Sequence, residues 1–360
     1  MAQREGPTDL LTRVRRDVER SLLRSRNGLK LLSGVGSPTP GASPKDVVWS
    51  SGKAQLFRYR SDERRFGPPI LFVHSLVSRS YVFDLAPGNS FIEAMRARGF
   101  DVFLTEWGEP DELESHYSLE TYCDDLLPDM VTAVQDVSGH GDVTMFGYCM
   151  GGVLALLYAA GHADGPITNL AVMATPIDYE HMGPMIAMVG DGRLDPADLI
   201  DATGNVPAEA MLRSFQLLEP TGNLQGYANL WQHLWNDEYV EAYQTMGKWT
   251  KDHIPFPGAC MIQIAKVLFR ENRLATGQVP LGDRVVDLAD ITVPFLNVLG
   301  ERDQIVAPEA VGQLASLVGS ADKEELRLKA GHAGLIVGKS AHKNNIPAMA
   351  DWLERHSEPT

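Results

Sequence analysis

Cys149 lies in Gly147-Tyr148-Cys149-Met150-Gly151-Gly152, a G-x-C-x-G pattern with a glycine two residues before the thiol and another two after it. A cysteine attacks as its thiolate, so it needs a base beside it and a group that orients the base. His332, in Ala330-Gly331-His332-Ala333-Gly334, fits the base, and Asp303, in Gly300-Glu301-Arg302-Asp303-Gln304, fits the acid. Glu301 competes with Asp303 for that place. The charge that develops on an attacked carbonyl oxygen calls for two backbone N–H donors. One falls to Met150, directly after the nucleophile, and the other to Leu76 or Val77. His74, just before them, is expected to support the loop rather than take part in chemistry. His342, His181, His233 and His253 are weaker candidates for the base.

A cysteine nucleophile also narrows the substrate. Moving an acyl group from a thioester onto cysteine exchanges one thioester for another, whereas attack on an oxygen ester runs uphill. The expected donor is therefore a thioester such as an acyl-CoA. The acyl-cysteine that results reacts with hydroxyls and amines, which suits acyl transfer.

Certain elements must bring these residues together. Val143-Thr144-Met145-Phe146 reads as a strand and Val153–Ala160 as a helix, so Cys149 sits at the apex of a strand-turn-helix. Small residues flank it because a Cβ there would collide with strand or helix. Asp303 follows a strand over 293–299, and His332 follows one over 326–328. The order nucleophile, acid, histidine then puts all three at one edge of a sheet. The remaining pattern agrees: a hairpin from 47–49 and 55–59, strands at 70–73, 101–105 and 170–174, and helices near 90–98, 119–137 and 341–355. Alternating strands and helices predict a mostly parallel, doubly wound sheet, and with the cysteine turn the arrangement resembles an α/β-hydrolase fold.

That rhythm breaks between about 178 and 282, where Met, Trp, Tyr and Pro accumulate. Helical patches at 208–218 and 239–250 and no clear strand predict a helical cap or lid inserted after the sixth strand. The expected organisation is an N-terminal helix and linker over 1–45, a core over 46–177 and 283–360, and the cap over 178–282.

The formal net charge of -15 argues against nucleic acid as a partner. The first 36 residues nevertheless hold eight Lys/Arg against four Asp/Glu. Residues 8–32 place Leu10, Leu11, Val14, Val18, Leu22 and Leu29 near the helical period, with Thr8 as a cap. This basic amphipathic helix is expected to dock on the body, on a partner helix or on a lipid surface. A Gly/Ser/Pro linker over 34–44 follows. Cys123, Cys149 and Cys260 form neither a metal spacing nor a disulfide framework, which fits a reducing cytoplasm. No leader and no membrane-spanning run is expected, nor any cofactor or metal beyond coenzyme A as part of a thioester substrate. The polar ending Glu354–Thr360 fits a free terminus or a linker to a further domain equally well.

With these residues placed, the chain resembles the catalytic subunit of polyhydroxyalkanoate synthases, especially the short two-component type (class III). The likeness runs from Pro44-Lys45-Asp46-Val47-Val48 almost to the end. It includes Leu76–Gly88, Trp107-Gly108-Glu109-Pro110-Asp111, the cysteine turn, Gly204-Asn205-Val206-Pro207 and Gly331-His332-Ala333-Gly334. The resemblance implies a cytoplasmic enzyme that polymerises (R)-3-hydroxyacyl groups from coenzyme A into a polyester. Cys149 would carry the chain, His332 would activate the thiol and the incoming hydroxyl, and Asp303 would assist His332. It also implies a homodimer, a helical companion subunit and work at the surface of a polymer granule. Three places depart from the family pattern: Gln304 where histidine is usual, Ser78-Arg79-Ser80-Tyr81 in place of Asn-Arg-Pro-Tyr, and Glu106 for aspartate. A thioesterase or lipase on the same scaffold, with water resolving the acyl-cysteine, is the alternative.

Overall fold

The computed structural model describes residues 7–33, 39–61, 63–218 and 230–360. Eight strands form one sheet: β1 (Asp46–Ser51), β2 (Ala54–Tyr59), β3 (Ile70–Val73), β4 (Val102–Glu106), β5 (Val143–Tyr148), β6 (Ile167–Met173), β7 (Phe295–Gly300) and β8 (Lys323–Leu328). Their spatial order is β1-β2-β4-β3-β5-β6-β7-β8. The first two pairings are antiparallel and the other five parallel. Every residue of β3, β5 and β7 is buried, which explains their continuous apolar runs: helices cover both faces of a parallel sheet.

Strand alternation divides the core in two. Leu71, Val73 and Met145 point into a cluster with α3 (Leu127–Ser138) and α4 (Met150–Gly161). Ile70, Phe72 and Phe146 point the other way, toward α2 (Phe91–Arg98). Ser90 caps α2 through its hydroxyl, which accepts from Glu93 N at 3.0 Å. Two expected helices are each shorter than anticipated and preceded by a π turn. Thr121–Leu126 leads into α3, and Ala341–Asn345 leads into the closing helix at Ile346–Arg355. Pro128 and Pro347 occupy the first turns of those helices. Proline has no N–H to donate, so the wider turn before it accommodates the missing bond.

The segment between β6 and β7 contains α5 (Pro184–Gly190), α6 (Ala208–Leu218), α7 (Asp237–Trp249) and α8 (Gly258–Ile264), matching the two expected helical patches to within a few residues. The expectation that it lacks strands needs correction. Asn205–Val206 pairs antiparallel with Phe256–Pro257, and Gln278–Leu281 with Arg284–Asp287. The second pair is a hairpin turned at Gly282-Asp283, where Gly282 has φ +61°, so the anticipated boundary at 282–283 falls in its turn. The closing helix is α9 (Ile346–Arg355).

The N-terminal helix α1 spans Pro7–Ser33. Part of the following linker, residues 34–38, lies outside the described residues. Buried Asn27 donates from Nδ2 to Leu234 O at 2.8 Å, Arg26 pairs with Asp237, and the Arg20 guanidinium stacks 4.4 Å over Trp235. The helix thus docks on its own chain beside α7. Val18, Leu22 and Leu29 stay outside that contact, 54%, 67% and 68% exposed.

Candidate active site

Backbone sterics at the cysteine turn show why each small residue is present. Cys149 has φ 55° and ψ -124°, a conformation L-residues rarely adopt. A Cβ on Gly147 would come 2.4 Å from Gly152 Cα, and one on Gly151 would come 2.2 Å from Val73 O. One on Gly152 would meet Thr175 Oγ1 at 1.9 Å. The glycines let α4 begin against the end of β3, which holds the partly exposed Cys149 clear of the sheet. Its N–H donates to Met173 O at 2.9 Å, tying the strained residue to β6.

The turns after β7 and β8 converge on the same place. His332 Nδ1 pairs with Asp303 Oδ2 at 2.7 Å. The other oxygen of Asp303 accepts from the N–H groups of Ile305 and Val306, both at 2.9 Å. The carboxylate is therefore fixed from one side by backbone and from the other by imidazole. The Cys149 side chain lies close enough to His332 to act on its charge. Burial alone would push this imidazole below its usual value. The Asp303 carboxylate and the Cys149 sulfur outweigh burial, and His332 stays protonated well above 6.5. Beneath it the Tyr148 ring lies 5.0 Å away, centroid to centroid.

The other two cysteines differ. Cys123 and Cys260 are buried, and burial pushes both thiols up, with nearby carboxylates adding to the effect. Glu301 is exposed, which separates it from buried Asp303.

The loop after β3 is tied at both ends. His74, fully buried, contacts Thr105 Oγ1 through Nδ1 at 3.3 Å and Ser78 O through Nε2 at 3.0 Å. Burial pushes His74 down, although Glu106 opposes the shift, so it holds the loop as a neutral ring. Glu106 accepts from Ser80 Oγ at 2.6 Å and from Gly108 N at 3.1 Å. Two of the residues that depart from the family pattern thus bond to each other. The inserted segment grips the loop from above. Trp249 Nε1 donates to Arg79 O at 3.0 Å, and Tyr81 Oη donates to Asp252 Oδ2 at 2.7 Å. Leu76 turns its side chain into the core, while Val77 lines the cavity next to Cys149 and Met150.

That cavity, of about 150 Å³, lies between the sheet edge and the insertion. Met182, Met185, Met211, Phe215 and Met261 form much of its far wall. Two lining residues had no signal in the sequence: Ser75, and Tyr179 just beyond β6. Neither belongs to a motif or a periodic pattern, and only the fold brings them to the thiol. Among the described residues, no group of three or more His, Cys, Asp or Glu could hold a metal ion. No helix of the described residues is long and apolar enough to cross a membrane.

Comparison with known proteins places this arrangement in a family. The model of the alpha/beta hydrolase fold matches residues 68–339. The poly(3-hydroxyalkanoate) polymerase subunit PhaC of Allochromatium vinosum is 34% identical over 354 residues, covering 96% of this chain and 97% of that protein. This chain belongs to the poly(3-hydroxyalkanoate) polymerase family. The subunit of the same name from Haloferax mediterranei is 34% identical over 327 residues, 90% of this chain, which spans 66% of that relative's length. Among solved structures, a hydrolase from Pseudomonas aeruginosa shares the fold with a TM-score of 0.53 at 17% identity, covering 87% of this chain and 99% of that one.

Proposed function

We propose that the chain is an acyltransferase that moves (R)-3-hydroxyacyl groups from coenzyme A onto a growing polyester held on Cys149. The observation that carries this reading is the His332–Asp303 pair, 2.7 Å apart, directed at a cysteine in a strained turn at the mouth of an apolar cavity. His332 already holds the proton of the Cys149 thiol, as its raised proton affinity implies, and the thiolate attacks the thioester carbonyl. The tetrahedral oxyanion is held by the N–H of Met150 and that of Leu76 or Val77. Its collapse expels the coenzyme A thiolate, which takes up the proton, and leaves an acyl-Cys149 thioester. His332 next removes the proton from the 3-hydroxyl of an incoming 3-hydroxyacyl-CoA, whose oxygen attacks the acyl carbonyl. The C–S bond to Cys149 breaks, and His332 keeps the proton opposite the freed Cys149 thiolate. The chain, longer by one ester and now a coenzyme A thioester, returns to Cys149 by the same thioester exchange. Asp303 holds the imidazole in the required orientation throughout.

The apolar wall supports the same reading, because it keeps water from the acyl-enzyme while the hydroxyl arrives. The insertion acts as a lid whose contacts through Trp249 and Asp252 reach the oxyanion loop. The exposed apolar side of α1, with Val18, Leu22 and Leu29, is the surface assigned to a second copy, a helical companion or the polymer granule.

Purified protein given 3-hydroxybutyryl-CoA tests the assignment. The expected result is release of coenzyme A with accumulation of polymer. Stoichiometric free 3-hydroxybutyrate without polymer would replace this reading by thioester hydrolysis.

A further inference from the structure

The cavity beside Cys149 is apolar except at three hydroxyl-bearing side chains: Ser75, Tyr179 and Ser214. Ser214 Oγ donates to Ala210 O at 2.9 Å, one turn back in its own helix. Among the described residues, Ser75 Oγ and Tyr179 Oη are buried and have no hydrogen-bond partner. A buried hydroxyl without a partner lowers stability, so two lining one cavity with the nucleophile call for an explanation.

Tyr179 is also held firmly in place. Its N–H donates to Asn272 Oδ1 at 3.0 Å, and Asn272 Nδ2 donates to Asp178 Oδ1 at 2.8 Å. Asn272 takes φ 45° to do so. The N–H groups of Ile177 and Asp178 both donate to Ala310 O at 2.9 Å. The Tyr179 ring packs on Phe269, with centroids 5.1 Å apart. Burial pushes this phenol up, and the charge of Cys149 adds to the effect, so it stays a neutral donor within electrostatic reach of the thiol. The backbone around Tyr179 is fully engaged and its ring is packed, while the hydroxyl is left without a partner. This pattern suits a donor set in advance for a group that arrives with the substrate.

Resting on the acyltransfer reading above, we propose that Tyr179 Oη and Ser75 Oγ form a polar subsite that recognises the oxygen on C3 of the acyl unit attached to Cys149. In a first unit that oxygen is a hydroxyl, and in a growing chain it is the ester oxygen. Both accept a hydrogen bond. A plain acyl chain offers no oxygen there and leaves both hydroxyls unpaired, so the subsite selects 3-oxygenated acyl groups over their deoxy counterparts.

The test compares 3-hydroxybutyryl-CoA with butyryl-CoA on wild type, Tyr179→Phe and Ser75→Ala, reading coenzyme A released in the first turnover with enzyme in excess. Tyr179→Phe is expected to slow acylation by 3-hydroxybutyryl-CoA about 10- to 100-fold and to leave acylation by butyryl-CoA unchanged. Ser75→Ala is expected to follow the same pattern to a smaller extent. Equal losses on both substrates, or no loss on either, would overturn the subsite. Failure of wild type to release coenzyme A from 3-hydroxybutyryl-CoA would instead overturn the acyltransfer reading. Thermal unfolding separates the structural explanation: Tyr179→Phe keeps the ring against Phe269 and removes an unpaired hydroxyl, so its Tm should equal or exceed that of wild type. A lowered Tm would mark the hydroxyl as structural and count against the subsite.

Discussion

The two walls of the cavity are built on opposite principles. On the sheet side, position is dictated by backbone: three glycines admit no Cβ, Cys149 is strained, and both oxygens of Asp303 are engaged. On the insertion side, four of the lining residues are methionines, Met182, Met185, Met211 and Met261, whose unbranched side chains repack readily. The first wall fixes the Cys149 turn and the His332–Asp303 pair through backbone contacts, and the second is flexible apolar surface. Under the proposed acyl transfer, rigidity is concentrated where bonds change and relaxed where the substrate only needs dry surroundings.

Breaking the rigid wall should have the largest effects. Cys149→Ala is expected to lower coenzyme A release about 10⁴-fold or more, since it removes the group that forms the acyl-enzyme. Stopped-flow or discontinuous thiol assays would register that loss, and residual release within tenfold of wild type would exclude Cys149 as the nucleophile. Gly152→Ala would drive a methyl into Thr175 Oγ1, 1.9 Å from the new Cβ. We expect about 3 kcal/mol of destabilisation or a failure to fold, measured by urea unfolding. A stability within 0.5 kcal/mol or so of wild type would mean that the turn relaxes freely.

The pH dependence of stability sharpens the electrostatic side of the comparison. His332 is raised well above 6.5 in the folded protein. Its contribution is therefore complete below that value and is lost as pH rises through the raised one. The gap in unfolding free energy between wild type and His332→Gln should be widest near about pH 6 and narrow toward alkaline pH. A gap that widens with pH would mean that the Asp303 and Cys149 charges do not hold the proton. The smallest effect belongs to the soft wall, where Met211→Leu should cost less than about 1.5 kcal/mol. Its acylation rate should stay within a few fold of wild type, and a hundredfold loss would show that this wall is as exacting as the other.

How far the sequence reveals the site follows from the same contrast. Gly147, Cys149 and Gly151 are legible because a strained turn constrains residue types within five consecutive positions. Asp303 and His332 are legible because each lies in the turn after a strand, buried β7 and the more polar edge strand β8, and strand order brings their loops together. The π turns before α3 and α9 were missed because Pro128 and Pro347 sit inside otherwise helical patterns. The hairpin at Gln278–Asp287 had a signal in Gly282-Asp283 between alternating residues, yet the surrounding helical composition masked it. Ser75 and Tyr179 had none: a hydroxyl left unpaired by the fold is a property of three-dimensional neighbours. The docking of α1 through Asn27 on Leu234 O was equally hidden, since its apolar period alone fits the body, a partner or a surface.

The proposed reaction requires Cys149 to carry the acyl chain as a thioester. Mass analysis of peptides from protein quenched in acid after a single turnover with 3-hydroxybutyryl-CoA tests it most directly. One or more 3-hydroxybutyryl units are expected on the peptide containing Cys149, removable by neutral hydroxylamine and absent from Cys149→Ala. An unmodified Cys149 peptide in protein that has released coenzyme A would contradict it.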